Sequence, residues 1–482
     1  MEVPLRDALD AFSASQGLHA NSVRVVAALV ACVGIAPLTH VISSPSLRHL
    51  WNFILGYICA WFCFDVATVH SLASTLFAFA TIYVAPRSSV GSILTVVVFL
   101  HLFYANALRE FYSQDIMWDA AHMVLTLKLV GLAISYSDGG LPSDEKTTTM
   151  LRNQVVDKPS LLALLGTTQR RWTFETCDIV FARLHLHVSN LLAGPVFEFH
   201  EYIEWIQVRR AAPLTSHLRN LFLALAIAAG HLASEMYFSP SIVDNPALFY
   251  PTQPTFIRLV FQCVAVMLFR CRFYLVWQLG ETAGTLAGYG FNIVSNDWTG
   301  LRNNNLLLVE FPTNFRVAIN NWNMRVSAWL NAYVYQRLGL YNGKPTTLST
   351  LYTFVVSALW HGFLPGYYQF FIMGTLYIEV GKHIRRRIRP FFHYVEVRHA
   401  HPYAIFFECG DRTKAHSLAI FYDLGGMFVT WTMMQYIGVS FVLQNMTRCY
   451  TIWSGFYFLP HLVPMLLLVY FQATAPKKAK ER

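Results

Sequence analysis

Two short stretches of this chain place polar side chains where hydropathy alone predicts lipid. In SALWHGFLPGYYQFF (357–371), His361 is the one histidine, and residues 345–378 run without Asp, Glu, Lys or Arg. A polar group in hydrocarbon costs roughly a few kcal/mol unless it is paired. A neutral imidazole can accept a proton. By itself, such a histidine more often packs and hydrogen-bonds than reacts. The second stretch is NNWNMRVSAWLNAYVYQRLG (320–339). Here Trp322, Val326, Trp329 and Tyr333 recur at spacings of four, three and four, one face of an amphipathic helix. Asn320, Asn321 and Asn323 cluster at its start, where one of them can serve as an N-cap. Asn323 falls inside the aromatic stripe, where a cap is less natural. A side-chain amide there can donate to an oxyanion or orient a substrate carbonyl.

The rest of the chain must hold these groups at membrane depth. Of 482 residues, 55% are hydrophobic and 13% charged, against about a quarter charged in soluble domains. This excludes an ordinary soluble protein. About 20 apolar residues, at 1.5 Å each, cross roughly 30 Å of hydrocarbon. Clear candidates are 23–42, 50–69, 90–108, 218–237, 417–443 and 452–471. Shorter or polar-spotted ones are 72–85, 120–136, 181–197, 256–277, 280–295 and 346–381. The expectation is an all-α, polytopic membrane protein of about ten or eleven helices in one domain over 1–482. Period-two alternation is nearly absent, which argues against a β-barrel. The stretch 345–378 is too long for one straight span, and Pro365-Gly366 offers a break. The basic runs KHIRRRIR (382–389) and KKAKER (477–482) both belong on the cytosolic side. Two spans separate them, so the two assignments agree.

The net charge is +9, but no basic stripe with interleaved aromatics points to nucleic acid. The eight cysteines are scattered. Cys59 and Cys63 lie one helical turn apart without a matching pair for a zinc site, so they read as free, buried thiols.

WNMRVSAWLNAYVYQR followed by SALWHGFLPGYYQFF resembles the membrane-bound O-acyltransferase family. Within it, the pair is similar to the lysophospholipid acyltransferase branch, whose pattern reads W-N-x-x-T-x-x-W-L and S-A-x-W-H-G-x-x-P-G-Y. Val326 departs from it where many members carry Thr. Three further stretches follow in the family's order: WDAAHMVLTLKLVGLAISYSDGG (118–140), LLAGPVFEFHEY (191–202) and RFYLVWQLGETAGTLAGYGFN (272–292). In the last, Thr282-Ala283 replaces the usual Gly-Ala wording. The core motifs thus span 115–380, and a helical pair with a basic tail occupies 416–482.

The resemblance implies that Asn323 and His361 are the catalytic pair and that Trp322, Trp360, Lys128, Trp277, Glu281 and Tyr274 bind substrate. It implies broken or re-entrant helices around a central tunnel, acyl-CoA as co-substrate, a lysophospholipid as acceptor, and no permanently bound cofactor or metal. It also implies residence in the endoplasmic reticulum, membrane-lipid contact, and a homodimer in some members. Lys478 and Lys480 stand as in dilysine retrieval signals.

Several of these residues have plainer readings. Lys128 can snorkel to an interface or meet a phosphate. Glu281 can pair with Arg270 or Arg272 as structural glue. Sterol- or protein-acylating relatives, a transporter and a silent scaffold are the alternatives. A transporter would place several ionisable residues along one path. Asp65, Lys128, Glu235 and Glu281 show no such pattern. None of the 18 histidines is followed five residues later by Asp, and no G-x-S-x-G elbow is present.

Overall fold

A computed structural model describes residues 4–112, 118–156, 192, 194–207, 210–237, 252–293, 295–342, 346–392 and 419–474. The expected span at 181–197 falls almost entirely outside these residues, as do Lys478, Lys480 and the side chain of Glu235.

The described chain is helical throughout, with one isolated bridge between Asn292 and Asp297. In order, the helices are α1 (Pro4–Ser15), α2 (Ala20–Ile35), α3 (Pro45–Phe64), α4 (Thr68–Val84), α5 (Arg87–Phe111), α6 (Asp119–Gly139) and α7 (Thr148–Asn153). Then follow α8 (Phe199–Gln207), α9 (Leu214–Tyr237), α10 (Thr255–Phe269) and α11 (Cys271–Leu286). The motif region holds α12 (Leu306–Glu310), α13 (Phe315–Asn321), α14 (Met324–Leu330), α15 (Gln336–Asn342), α16 (Thr347–His361) and α17 (Pro365–Arg387). The last three are α18 (Ala419–Leu443), α19 (Met446–Ser454) and α20 (Leu459–Ala473).

Among the described residues, six stretches are long and apolar enough to cross a bilayer: Ala20–His40, Leu50–Val84, Arg87–Phe111, Asp119–Gly139, Thr255–Leu286 and Ala419–Leu443. The outer helices leave Val69, Leu76, Phe77, Val96 and Leu100 exposed. Such a surface is stable against lipid and unfavourable against water. The protein is an all-α polytopic membrane protein.

Two of the expected spans are bent or broken. Residues 346–381 fold as a hairpin, because α16 stops at His361 and α17 packs back on it, with the Phe354 and Phe371 rings 5.9 Å apart. Pro365 does not break a helix. It opens α17, where its missing N–H costs nothing. The expected span 452–471 is likewise two pieces. α19 and α20 meet at 81°, around Tyr457 and Phe458, both at positive φ. The parity of the two basic runs holds where this bent pair counts as one crossing. Cys59 and Cys63 are free and buried, with Cys32 Sγ 3.8 Å from Cys59 Sγ.

α6 is the hub, with most of its length inside the protein. It packs along α5 and also meets α4 and α14. Val326, Trp329, Tyr333 and Trp360 share one buried cluster with its apolar residues.

Candidate active site

His361 is the last residue of α16, whose start is fixed by a capping box between Thr346 and Ser349. Its imidazole sits among four rings: Trp360 at 4.7 Å, Phe441 at 5.0 Å, Tyr367 at 5.5 Å and Phe371 at 5.7 Å. The turn that follows is tied down through its main chain. Arg109 Nη2 donates to the His361 carbonyl at 3.1 Å, and Phe363 N–H donates to Glu110 Oε2 at 2.7 Å. Gly362 has φ +141°, and a Cβ there would collide with Glu110 Oε1. Glycine is required on both counts.

Asn323 stands at the N-cap position of α14 in a left-handed conformation (φ +45°, ψ +53°), and its side chain caps nothing. Asn is among the few residues that visit this region routinely. The first turn of α14 is capped instead by Asn303. Its carbonyl accepts from Met324 N–H at 2.7 Å, and its Oδ1 accepts from Arg325 N–H at 3.2 Å. Asn303 is fully buried. A cap supplied from 22 residues away leaves the Asn323 amide out of helix bookkeeping.

The expected helix over 320–339 is therefore not continuous. It breaks at Trp322, which is extended, and at Asn323. It then passes through a π-helical turn at Asn331–Tyr335. The break redirects Trp322 away from the stripe it was expected to share. Its ring lies 4.9 Å from Trp277, 5.4 Å from Tyr274 and 5.8 Å from Phe273. Trp329 and Tyr333 face α6 instead. Trp329 Nε1 donates to the Leu127 carbonyl at 2.8 Å, and Tyr333 Oη meets Ser135 Oγ at 2.8 Å. Gly131 allows this contact, since a Cβ there would come within 2.9 Å of Trp329 Nε1.

The two motifs meet the same part of α6. Trp360 Nε1, beside His361, donates to the Met123 carbonyl at 2.9 Å. Met123 and Leu127 are four residues apart, about 6 Å along one helix face. The segments carrying Asn323 and His361 are thus anchored to one turn of one buried helix.

The other expected site residues divide. Trp322, Trp277 and Tyr274 form one aromatic group next to Asn323. The Tyr274 hydroxyl is committed to Glu310 Oε1 at 2.6 Å. Lys128 follows Leu127 on α6, but it does not snorkel. It is buried, with Nζ 4.8 Å from the Phe197 ring centroid. Glu281 is also buried, and the guanidinium charges acting on it are Arg302 and Arg219. The expected Arg270 partnership is replaced by Arg270 with Glu310, at 2.9 Å and 2.5 Å. The reason is simple geometry. Arg270 is the N-cap of α11 and Glu281 lies three turns along it, about 16 Å away at 1.5 Å per residue. Arg272 lies over the Phe269 ring at 4.1 Å.

Three residues near the motifs carry no recognisable sequence signal of their own: Arg109, Glu110 and Asn303. Glu201 forms an ion pair with Arg325, whose Nε also donates to the Val196 carbonyl at 2.7 Å. Glu198 Oε2 accepts from the Tyr333 hydroxyl at 2.7 Å. These bonds fasten the Gly-Pro element at 194–202 to the helix that begins at Asn323.

A model of the membrane-bound O-acyltransferase family matches residues 103–410. The chain is 26% identical to "Lysophospholipid acyltransferase" of Schizosaccharomyces pombe, over 97% of this chain and 89% of that protein. It is 25% identical to "Lysophospholipid acyltransferase 2" of Arabidopsis thaliana, over 98% of both. It is 24% identical to "Membrane-bound glycerophospholipid O-acyltransferase 2" of Mus musculus, over 89% of this chain and 79% of that protein.

Proposed function

The chain belongs to the membrane-bound O-acyltransferase family, and from that premise we propose that it moves a fatty acyl chain from acyl-CoA to the free hydroxyl of a lysophospholipid. The names of its relatives supply the acceptor class. The observation that carries the mechanism is the shared anchorage of both motifs on Met123 and Leu127 of α6, with an Asn323 side chain that its helix does not use.

The acceptor hydroxyl gives its proton to His361 while its oxygen bonds to the thioester carbonyl carbon. General-base help of this kind is worth about 10²–10⁴-fold. The carbonyl oxygen becomes an oxyanion, and the Asn323 amide donates to it, an effect of roughly 3 kcal/mol in comparable sites. The carbon–sulfur bond then breaks, and His361 returns the proton to the sulfur of coenzyme A. The products are an ester and a free thiol. No acyl-enzyme is needed. The apolar surroundings keep out water that would hydrolyse the thioester. In the same reading the protein resides in the endoplasmic reticulum, takes acyl-CoA from the cytosol and keeps its C-terminal tail there.

The test is a panel of lysophospholipids offered with labelled acyl-CoA to membranes containing the protein. Labelled phospholipid is the expected product. His361→Ala and Asn323→Ala should each remove at least about 10²-fold of turnover at matched protein level. Label on a sterol or a polypeptide, a trapped acyl-protein, or full activity in either variant would overturn the reading.

A further inference from the structure

The end of α5 holds the turn that follows His361. Arg109 Nη2 donates to the His361 carbonyl at 3.1 Å and to Glu110 Oε1 at 2.8 Å. Arg109 also forms an ion pair with Asp119, the first residue of α6. Glu110 Oε2 accepts from Phe363 N–H at 2.7 Å, and its side chain is 1% exposed. Two residues along, Phe363 is gripped by α5 again, with its ring 5.5 Å from Phe103 and 5.7 Å from Phe111.

These bonds fall where a helix end is weakest. The last carbonyls of an α-helix have no partner within it, and the chain beyond is free to swing. Here the carbonyl of His361 itself is one of those groups, and Arg109 satisfies it. The N–H two residues later is satisfied by Glu110. The peptide planes on both sides of Gly362 are therefore held, and the carboxylate fills the space a Cβ would need. A buried carboxylate is stable only if it is paired. Arg109 provides that pairing and links the turn to both α5 and α6. Neither residue is hydrogen-bonded to the imidazole. Their hydrogen bonds reach it through the backbone, and the Arg109 charge also acts on it through space.

We propose that Arg109 and Glu110 are positioning residues, which fix the backbone from which His361 projects and so set where its imidazole stands. The proposal rests on His361 being the base. It adds that the aim of this base is determined by a carboxylate and a guanidinium about 250 residues upstream in the chain. The glycine after His361 is then explained by the carboxylate that occupies its side-chain position.

The experiment uses the full-length protein in membranes, with kcat and KM measured for both substrates. Glu110→Ala should lower kcat by about 10²-fold, the cost typical of roughly 1 Å of misplacement, with both KM values nearly unchanged. Glu110→Gln keeps an oxygen that can accept from Phe363 N–H, and should recover most of the lost rate. Arg109→Lys keeps the charge beside Glu110 and Asp119 but not the reach to the His361 carbonyl. It should lower kcat severalfold without moving KM. A merely structural tie would lower the amount of folded protein and leave kcat per folded molecule alone. Wild-type kcat in Glu110→Ala overturns the proposal, as does a Gln variant no better than Ala. If Glu110→Ala does not accumulate, Arg109→Lys decides, and unchanged kcat in that variant overturns the proposal. Should His361→Ala itself remain active, the acyl-transfer mechanism fails. An inactive His361→Ala beside a fully active Glu110→Ala defeats the positioning role alone.

Discussion

Asn303→Ala tests whether a remote cap keeps Asn323 available. The substitution removes the oxygen that accepts from Arg325 N–H but keeps the carbonyl that accepts from Met324 N–H. The start of α14 stays attached, and the protein should fold. What changes is the competition for the first turn. Asn323 is held left-handed, a conformation that costs about 1 kcal/mol relative to extended backbone. An extended Asn323 can cap α14 with its own side chain, which is worth about 1 kcal/mol. The backbone cost of the left-handed form is the same before and after the substitution, so the shift is the lost Asn303 cap, about 1 kcal/mol. At 1.36 kcal/mol per tenfold, that moves the population of the working geometry by about 5-fold. The expected result is a kcat lowered by about 5-fold, with KM nearly constant, since substrate contacts are untouched. The stability loss should be small, because one cap replaces another. Steady-state kinetics in matched membranes measure all of this. A kcat for Asn303→Ala close to wild type would refute the reasoning.

Two further outcomes follow from local geometry. Gly362→Ala combines φ +141° with a collision against the Glu110 carboxylate, and should lose at least about 10²-fold in kcat; substantial activity at normal protein level contradicts this. Glu310→Ala leaves Arg270 buried with Gln435 as a neutral partner, at 2.7 Å, and should destabilise by about 3–5 kcal/mol. Thermal unfolding in detergent should show a lowered midpoint, and a double change of Arg270 and Glu310 to Met should recover part of it.

What was legible in the sequence was local. Trp322-Asn323 and Trp360-His361 could be recognised because each pair sits in a motif of fixed short spacing. The membrane class followed from composition, which does not depend on how helices pack. The positions of breaks were less readable. Pro365-Gly366 marked the interruption, and the break falls just before it: α16 stops at His361, Gly362 takes a positive φ, and Pro365 opens α17. The bend between α19 and α20 lies at Tyr457 and Phe458, two aromatic residues that hydropathy counts as ordinary membrane sequence. Hydropathy put Arg270 and Glu281 in separate candidate spans, 256–277 and 280–295; α11 instead runs unbroken from Cys271, next to Arg270, past Glu281, and 1.5 Å per residue then forbids their pairing.

The remaining gap has a physical cause. Catalysis needs side chains that are not consumed by their own secondary structure, so the bonds that hold their backbones must come from elsewhere. Asn323 is spared from capping by Asn303, 20 residues away. His361 is held by Arg109 and Glu110, about 250 residues away. Such partners share no periodicity with the residues they hold and form no short motif with them. In a protein whose interior is mostly apolar, Glu110 and Asn303 are costly buried polar groups that only their partners explain. A search for functional residues in a membrane chain of this kind should therefore ask which polar residues outside the motifs end their bonds on a motif's main chain. Arg109, Glu110 and Asn303 all meet that description, and Glu310, which ends on Arg270 and Tyr274 side chains instead, does not. The kinetic variants described for the first three and the thermal midpoint described for Glu310 separate the two classes. If Glu310→Ala lowered kcat per folded molecule as strongly as Glu110→Ala, main-chain anchorage would not be what distinguishes a positioning residue.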